Sequence, residues 1–139
     1  MSDTSPEQFR IVVGFDGSEG SKRALTWAAD EARAHGGSLR AVYAWRPGEF
    51  GSEEEQVAIA QKRLDEGIVE VLGESPGVTL DTVSAPGHAA KVLLDNAAGA
   101  QMLVVGSRGH GGFTGLLLGS VGQHVASHSE TPVVVIVRP

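Results

Sequence analysis

Length, composition and charge limit the kind of protein that this sequence can encode. The chain has 139 residues, no cysteine and a formal net charge of -6, and a single domain of that size buries about two-thirds of the surface that its unfolded chain exposes. The acidic charge argues against a nucleic-acid partner, because phosphate-backbone binding needs clustered Lys and Arg. No apolar run reaches the roughly eighteen residues of a membrane span. Since the lack of cysteine agrees with a reducing compartment, we expect a cytoplasmic protein with no membrane partner.

Apolar runs of strand length alternate with segments of helical periodicity along the chain. The polar residues 1–8 predict a short disordered tail before a single domain over 9–139. Strands are predicted at 11–15, 39–45, 78–84, 102–105 and 133–137, and helices at about 18–35, 53–72, 87–98 and 120–129. This strict alternation with short connections predicts an α/β fold, a doubly wound parallel sheet with helices on both faces.

Two of these elements carry more specific local signals. Ser52 followed by Glu55 predicts a capping box at the start of the second helix. The predicted apolar face of that helix comprises Val57, Ala60, Leu64, Ile68 and Val71. Apolar and polar residues alternate over 78–84, which is typical of a less buried strand near the edge of a sheet.

A glycine-dense loop follows the fourth predicted strand. It begins with Gly106, Ser107, Arg108 and Gly109 and ends at Gly119 and Ser120, where a helix starts. A strand that breaks into such a loop and resumes as a helix turns backbone N–H groups toward one point, which favours phosphate binding. The first strand also ends in polar and glycine residues, over 14–18. If these two strands are neighbours at the reversal of the winding, their ends face each other across one crevice, the predicted nucleotide pocket.

The glycine loop differs from two better-known phosphate motifs. A P-loop ATPase has a lysine directly before the Ser or Thr that ends the loop, whereas here Gly119 stands directly before Ser120, so the loop is not that of a P-loop ATPase. The glycines follow the fourth predicted strand rather than the first, which argues against a nicotinamide cofactor.

The spacing Gly-x2-Gly-x9-Gly-Ser over 106–120, entered through Val-Gly-Ser-Arg-Gly, resembles the nucleotide-binding branch of the universal stress protein family. The likeness extends from 11–18 through Pro86-Gly87-His88 to 132–135, nearly the whole chain. The resemblance implies a three-layer open sheet of five parallel strands in the order 3-2-1-4-5 with four helices. It also implies ATP, or ADP or AMP, in the crevice, Mg²⁺ or Mn²⁺ on the phosphates, and dimers.

The resemblance assigns three groups of residues to the nucleotide. The phosphates would be held by Gly106, Gly109, Gly119 and Ser120, with further contacts from Ser107 and Arg108. The adenine and ribose would lie near Gly14, Asp16 and Ala44, where Ala44 replaces a valine that is frequent in relatives. Val105 and Val121 would flank the nucleotide.

Several of these residues have a purely structural alternative. Asp16 could form an Asx-turn or N-cap of the first helix, and Gly14 could allow close packing of a strand and a helix. Ser120 could be a helix N-cap, and Arg108 a solvated surface cation. His124 and His128 have the i, i+4 spacing of zinc ligands, but no third ligand accompanies them in the sequence, so we expect no metal site formed by the protein's own residues.

The sequence favours binding over catalysis. Beyond Asp16 the predicted pocket offers no second carboxylate for phosphoryl transfer. The Gly-x-Ser-x-Gly match at 73–77 follows a predicted helix and precedes a predicted strand, so it is not the nucleophile elbow of a hydrolase, which is a strand-to-helix turn. We therefore expect no catalytic residues and an ATP-binding, dimeric regulator or sensor of the stress response. The alternatives are an enzyme with ATP hydrolase, phosphotransferase or adenylyl-transfer activity, and a dimeric scaffold that has lost its ligand.

The C-terminal apolar run predicts how such a chain would dimerise. Val133 to Val137 contains five consecutive apolar residues and would form an edge strand with unpaired backbone groups. Pairing with the same strand of a second copy about a two-fold axis would cover that edge. We therefore expect a homodimer through this strand.

Overall fold

Five parallel strands and four helices form the part of the chain that the computed structural model describes, residues 9–48, 51–107 and 119–137. In chain order the elements are β1 (Arg10–Gly14), α1 (Glu19–Ala34), β2 (Ser38–Trp45), α2 (Glu53–Leu72), β3 (Thr79–Pro86), α3 (Ala89–Ala97), β4 (Met102–Gly106), α4 (Ser120–His128) and β5 (Val133–Ile136). The strands lie in the order β3-β2-β1-β4-β5. The predicted α/β class and the strand order 3-2-1-4-5 are confirmed, whereas the predicted tail lies outside the described residues.

Alternate residues of the strands face two separate apolar cores. Ile11 and Val13 of β1 pack with residues of α1 and α2, and Val12 packs with residues of α3 and α4. The helices therefore cover the sheet in pairs, α1 and α2 on one face and α3 and α4 on the other. This arrangement gives the three layers that the sequence analysis expected.

The second helix shows both a confirmed and a wrong prediction. Ser52 caps it as expected: the Ser52 Oγ accepts from the Glu55 N–H at 3.2 Å, and the Glu55 side chain accepts from the Ser52 N–H at 2.8 Å. Val57, predicted to be on the apolar face, is instead 46% exposed. The first two turns of α2 are largely exposed, and burial begins only at Ala60.

The sheet has two edges, which differ in character. β3 is paired with β2 along its whole length, from Thr79 opposite Ser38 to Pro86 opposite Trp45. That pairing carries β3 two residues beyond the predicted end at 84. The predicted edge position of this strand is confirmed, and β5 forms the other edge. Within the described ranges, no helix is long and apolar enough to span a membrane.

Candidate functional site

The reversal of the winding lies between β1 and β4, which meets the condition that the sequence analysis set for a crevice. Ile11 of β1 lies opposite Met102 of β4, and Val13 opposite Val104. The helix after β1 packs on one face of the sheet, and the helix after β4 packs on the other. In a doubly wound sheet such a reversal opens a crevice at the carboxyl edge, where ligands bind.

On the β1 side of the crevice, a short hydrogen-bond network fixes Asp16. The Asp16 Oδ1 accepts from the Ser18 N–H at 2.9 Å, which is an Asx-turn. The Ser18 Oγ accepts from the Ser21 N–H at 3.2 Å, so Ser18, and not Asp16, is the N-cap of α1. The buried Ser21 Oγ accepts from the Asp16 N–H at 3.2 Å and donates to the Ser18 carbonyl at 3.0 Å. The carboxylate is thus held at the end of β1 before any ligand enters.

Two glycines at the strand ends have packing reasons that the structure makes explicit. A Cβ added at Gly106 would lie 2.7 Å from the carbonyl carbon and oxygen of Gly20 in α1. A Cβ added at Gly14 would lie 3.1 Å from both methyl carbons of Leu93 in α3. The close approach expected as an alternative for Gly14 is therefore present. Gly106 has an even stricter requirement, because backbone cannot move aside as a leucine side chain can.

On the β4 side, the residue that follows the strand lies next to the N-cap of α4. Val105 and Ser107 are each 5% exposed, and the Ser107 N–H donates to the Ile136 carbonyl at 3.0 Å. The Ser107 carbonyl accepts from the N–H of Gly119, which joins the two residues that flank 108–118. Arg108 and Gly109, assigned to the phosphates by the resemblance, lie outside the described residues.

The first turn of α4 borders this junction. Gly119 is the N-cap, and as a glycine it has no side chain with which to cap the helix. The structural alternative of Ser120 as the N-cap is wrong, since Ser120 is the first helical residue and is exposed. Val121 is half-buried against the second core. The N–H groups of residues 120–122 precede the first donor of the helical ladder, Gln123 to the Gly119 carbonyl, and are the usual anion-binding groups of a helix N-terminus.

The end of β2 forms the third wall of the crevice. The Val42 carbonyl accepts from the Phe15 N–H, and the Trp45 carbonyl accepts from the Gly87 N–H, each at 2.9 Å. Successive residues of a strand point their N–H and C=O groups to opposite sides. The N–H and C=O of Ala44 therefore point to the β1 side, like the Val42 carbonyl, but past Phe15, the last residue of that segment that donates to β2. The indole N–H of the neighbouring Trp45 donates to the Ser84 Oγ at 3.1 Å.

Two charged groups on helix surfaces have shifted pKa values. Hydrogen bonds to Glu70 and then to Glu19 raise the pKa of Lys22. Hydrogen bonds from the Ser52 backbone and side chain lower the pKa of Glu55. Among the described residues, no group of three or more His, Cys, Asp or Glu side chains could hold a metal ion.

The structure therefore brings most of the predicted residues to one edge of the sheet. Gly14 ends β1 and Asp16 follows it, Ala44 lies near the end of β2, and the remaining described residues surround the junction of β4 and α4. That last group comprises Val105, Gly106, Ser107, Gly119, Ser120 and Val121. The sequence analysis missed Gly20 and Ser21, whose only signal was their position in the first turn of α1, two and three residues after the N-cap Ser18.

Comparison with known proteins agrees with this fold. The family model for the universal stress protein family matches residues 9–137. A universal stress protein of Mycobacterium tuberculosis is 36% identical over 136 residues, which cover 94% of this chain and 46% of that relative. The chain thus spans about half the length of the curated relatives that it matches.

Solved structures show the same likeness. The universal stress protein UspA from Lactobacillus plantarum superimposes with a TM-score of 0.76 at 22% identity, covering 94% of this chain and 98% of that one, which shows the shared fold. A universal stress protein in complex with cAMP superimposes with a TM-score of 0.67 at 30% identity, covering 94% of this chain and 97% of that one. On the family match over nearly its whole length, the chain belongs to the universal stress protein family.

Proposed function

We propose that this chain binds an adenine nucleotide, ATP in particular, in the crevice between the ends of β1 and β4. The observation that carries the proposal is that three unlike walls meet at one edge of the sheet: the carboxylate of Asp16, the backbone of Ala44, and the N–H groups of the first turn of α4. A relative at 30% identity was solved in complex with cAMP, which supports an adenine nucleotide as the ligand.

The adenine and ribose belong at the β1 and β2 walls. An adenine ring carries neighbouring donor and acceptor atoms on one edge, and the Ala44 N–H and C=O offer the complementary pair. The Asx-turn holds the Asp16 carboxylate at the end of β1, where it would accept hydrogen bonds from ribose hydroxyls. Val105 and Val121 supply the apolar surface on either side of the β4 and α4 junction.

The phosphates belong at the β4 wall. The N–H groups at the start of α4 and the helix dipole favour an anion there. The resemblance adds Arg108 and Gly109 to this wall. Mg²⁺ or Mn²⁺ would fit on the phosphates themselves, because Mg²⁺ binds mainly through phosphate oxygens, water and one or two carboxylates rather than in a protein cage. The described residues offer no such cage.

We further propose that the protein is a homodimer that acts as a nucleotide-dependent regulator of the stress response in the cytoplasm. The Pro132 and Ile136 carbonyls accept from β4, so the backbone groups of Val133, Val135 and Val137 point away from the sheet. An apolar edge with outward N–H and C=O groups is suited to antiparallel pairing with a second copy. The crevice walls supply binding groups, which favours sensing over turnover.

Calorimetric titration of the full chain with ATP, AMP and cAMP, each with and without Mg²⁺, tests the proposal. The informative variant is Asp16→Asn, since an amide oxygen can still accept from the Ser18 N–H and keep the turn while the charge is lost. Asp95→Asn, which alters an exposed ion pair with Lys91 on α3, is the matched control. We expect the first to weaken binding and the second to leave it unchanged. Absence of saturable binding of all three nucleotides by the parent would refute the proposal.

A further inference from the structure

The two histidines of α4 form a pair that the proposed function does not use. His124 and His128 are both exposed and lie one helical turn apart. Their ring centroids are 4.3 Å apart, and their ring planes differ by 20°. Histidines at i and i+4 on one helix face are a familiar arrangement of metal ligands.

A backbone hydrogen bond determines which nitrogen of His128 is free to bind a ligand. The His128 Nδ1 lies 3.0 Å from the carbonyl oxygen of His124. Because a carbonyl oxygen can only accept, this contact assigns the proton to Nδ1 and leaves the lone pair of the neutral ring on Nε2. Metal-binding histidines are usually oriented in this way, with the second ring nitrogen donating to a carbonyl or carboxylate.

The two rings are close enough to share one ion once they leave their stacked arrangement. Zn–N bonds of about 2.0–2.1 Å place two ligand nitrogens roughly 2.9–3.4 Å apart when the angle at the metal lies between a right angle and the tetrahedral value. The rings are stacked with centroids 4.3 Å apart, and because the lone pair of a ring nitrogen lies in the plane of its ring, the rings must turn before both lone pairs point at one ion. Both side chains are exposed, so the rings can turn into solvent.

Contrary to the expectation from the sequence, we propose that His124 and His128 form a two-histidine site for a divalent transition metal of the Zn²⁺, Cu²⁺ or Ni²⁺ class. Imidazole nitrogen suits these ions, whereas Mg²⁺ prefers oxygen, so this site is chemically distinct from a metal on nucleotide phosphates. Within the described residues no third His, Cys, Asp or Glu joins the pair, so water completes the coordination. The ion is therefore exchangeable and clamps one turn of α4.

A second i, i+4 pair provides an internal control. The His35 Nε2 lies 3.0 Å from the Glu31 Oε2, and the His35 ring stacks on Phe9 with centroids 4.1 Å apart. Its Nε2 already has a carboxylate partner. His35→Gln therefore removes a surface histidine of the same helix spacing without touching α4.

The test is titration of the full, untagged, metal-free chain with zinc chloride by calorimetry. We expect one site per chain, weakened about tenfold or more by His124→Gln and by His128→Gln and unchanged by His35→Gln. Excess magnesium chloride should not compete. Circular dichroism of each variant confirms that α4 and the rest of the fold are retained.

Nitrogen-detected NMR of the histidine rings locates the ion. On addition of Zn²⁺, the His128 Nε2 resonance should shift while Nδ1 keeps its proton. The proposal is overturned if the parent shows no saturable binding, if only one of the two α4 variants loses affinity, or if His35→Gln loses as much. Nucleotide titrations play no part in these outcomes, so failure of the proposed function would leave them intact.

Discussion

The contact between Gly106 and Gly20 makes Gly106→Ala an informative substitution. The added Cβ would lie 2.7 Å from two backbone atoms of Gly20, whereas non-bonded carbon atoms prefer about 3.5–4.0 Å. The first turn of α1 must therefore move by about 1 Å from the end of β4. Because that turn carries the Ser18 and Ser21 hydrogen bonds that fix Asp16, the displacement also disturbs the β1 wall of the crevice.

The net effect on stability is the difference between two terms. Forcing extra atoms into a packed contact costs about 1–3 kcal/mol. Replacing glycine by alanine restricts the unfolded chain and returns about 0.4–1 kcal/mol where the backbone conformation is compatible. The free energy of unfolding should therefore fall by roughly 1–2 kcal/mol, which corresponds to about 4–8 °C in Tm for a domain of this size.

Gly14→Ala is the matched control, because its Cβ would meet only Leu93 methyl groups, at 3.1 Å. A leucine side chain can rotate by the few tenths of an ångström required, so the two terms should nearly cancel. Urea denaturation of both variants, with the slope m unchanged, measures the difference. A Gly106→Ala protein as stable as the parent, or a Gly14→Ala protein that loses more, would refute the packing argument.

Three further predictions concern the sheet edge, the capping box and the adenine wall. Val135→Pro removes an N–H that points away from the sheet, so we expect a folded monomer in sedimentation. Val134→Pro instead removes a hydrogen-bond donor to β4 and should abolish folding. A dimeric Val135→Pro protein would exclude this interface. Since the pKa of Glu55 is lowered, its stabilising effect is present above the pKa of the unfolded chain and is lost as the pH falls through the folded-state pKa. Glu55→Gln should therefore be less stable than the parent in denaturant at neutral pH, and a gap that persists in acid would contradict this assignment. Ala44→Val adds two methyl groups beside the base and should tighten ATP binding up to about tenfold in calorimetry; weaker binding would place the base elsewhere.

Local sequence signals predicted the elements and their order well, because each depends on near neighbours in the chain. The capping box of Ser52 and Glu55 is fixed by residues three apart, and the edge position of β3 follows from its alternating pattern. Val57 was misplaced because periodicity identifies the apolar face of a helix but not the residue at which burial along that face begins, here Ala60.

The need for Gly106 could not be predicted in the same way. The Asx-turn of Asp16 is local and was one of the alternatives drawn from the sequence, whereas Gly106 depends on Gly20, 86 positions earlier in the chain. That contact exists only once α1 packs against the end of β4. The roles of Arg108 and Gly109 rest on the family resemblance, since they lie outside the described residues.

Unequal strand lengths explain why the backbone at Ala44 is suited to a ligand. β1 ends at Gly14, opposite Val42, whereas β2 continues to Trp45. Of the three residues by which β2 extends further, only Ala44 points its N–H and C=O toward β1, since the groups of its two neighbours point to β3. Polar backbone groups away from bulk water need a partner. A strand that ends early beside a longer one therefore leaves one donor and one acceptor side by side, and in this fold they face the same crevice as the first turn of α4.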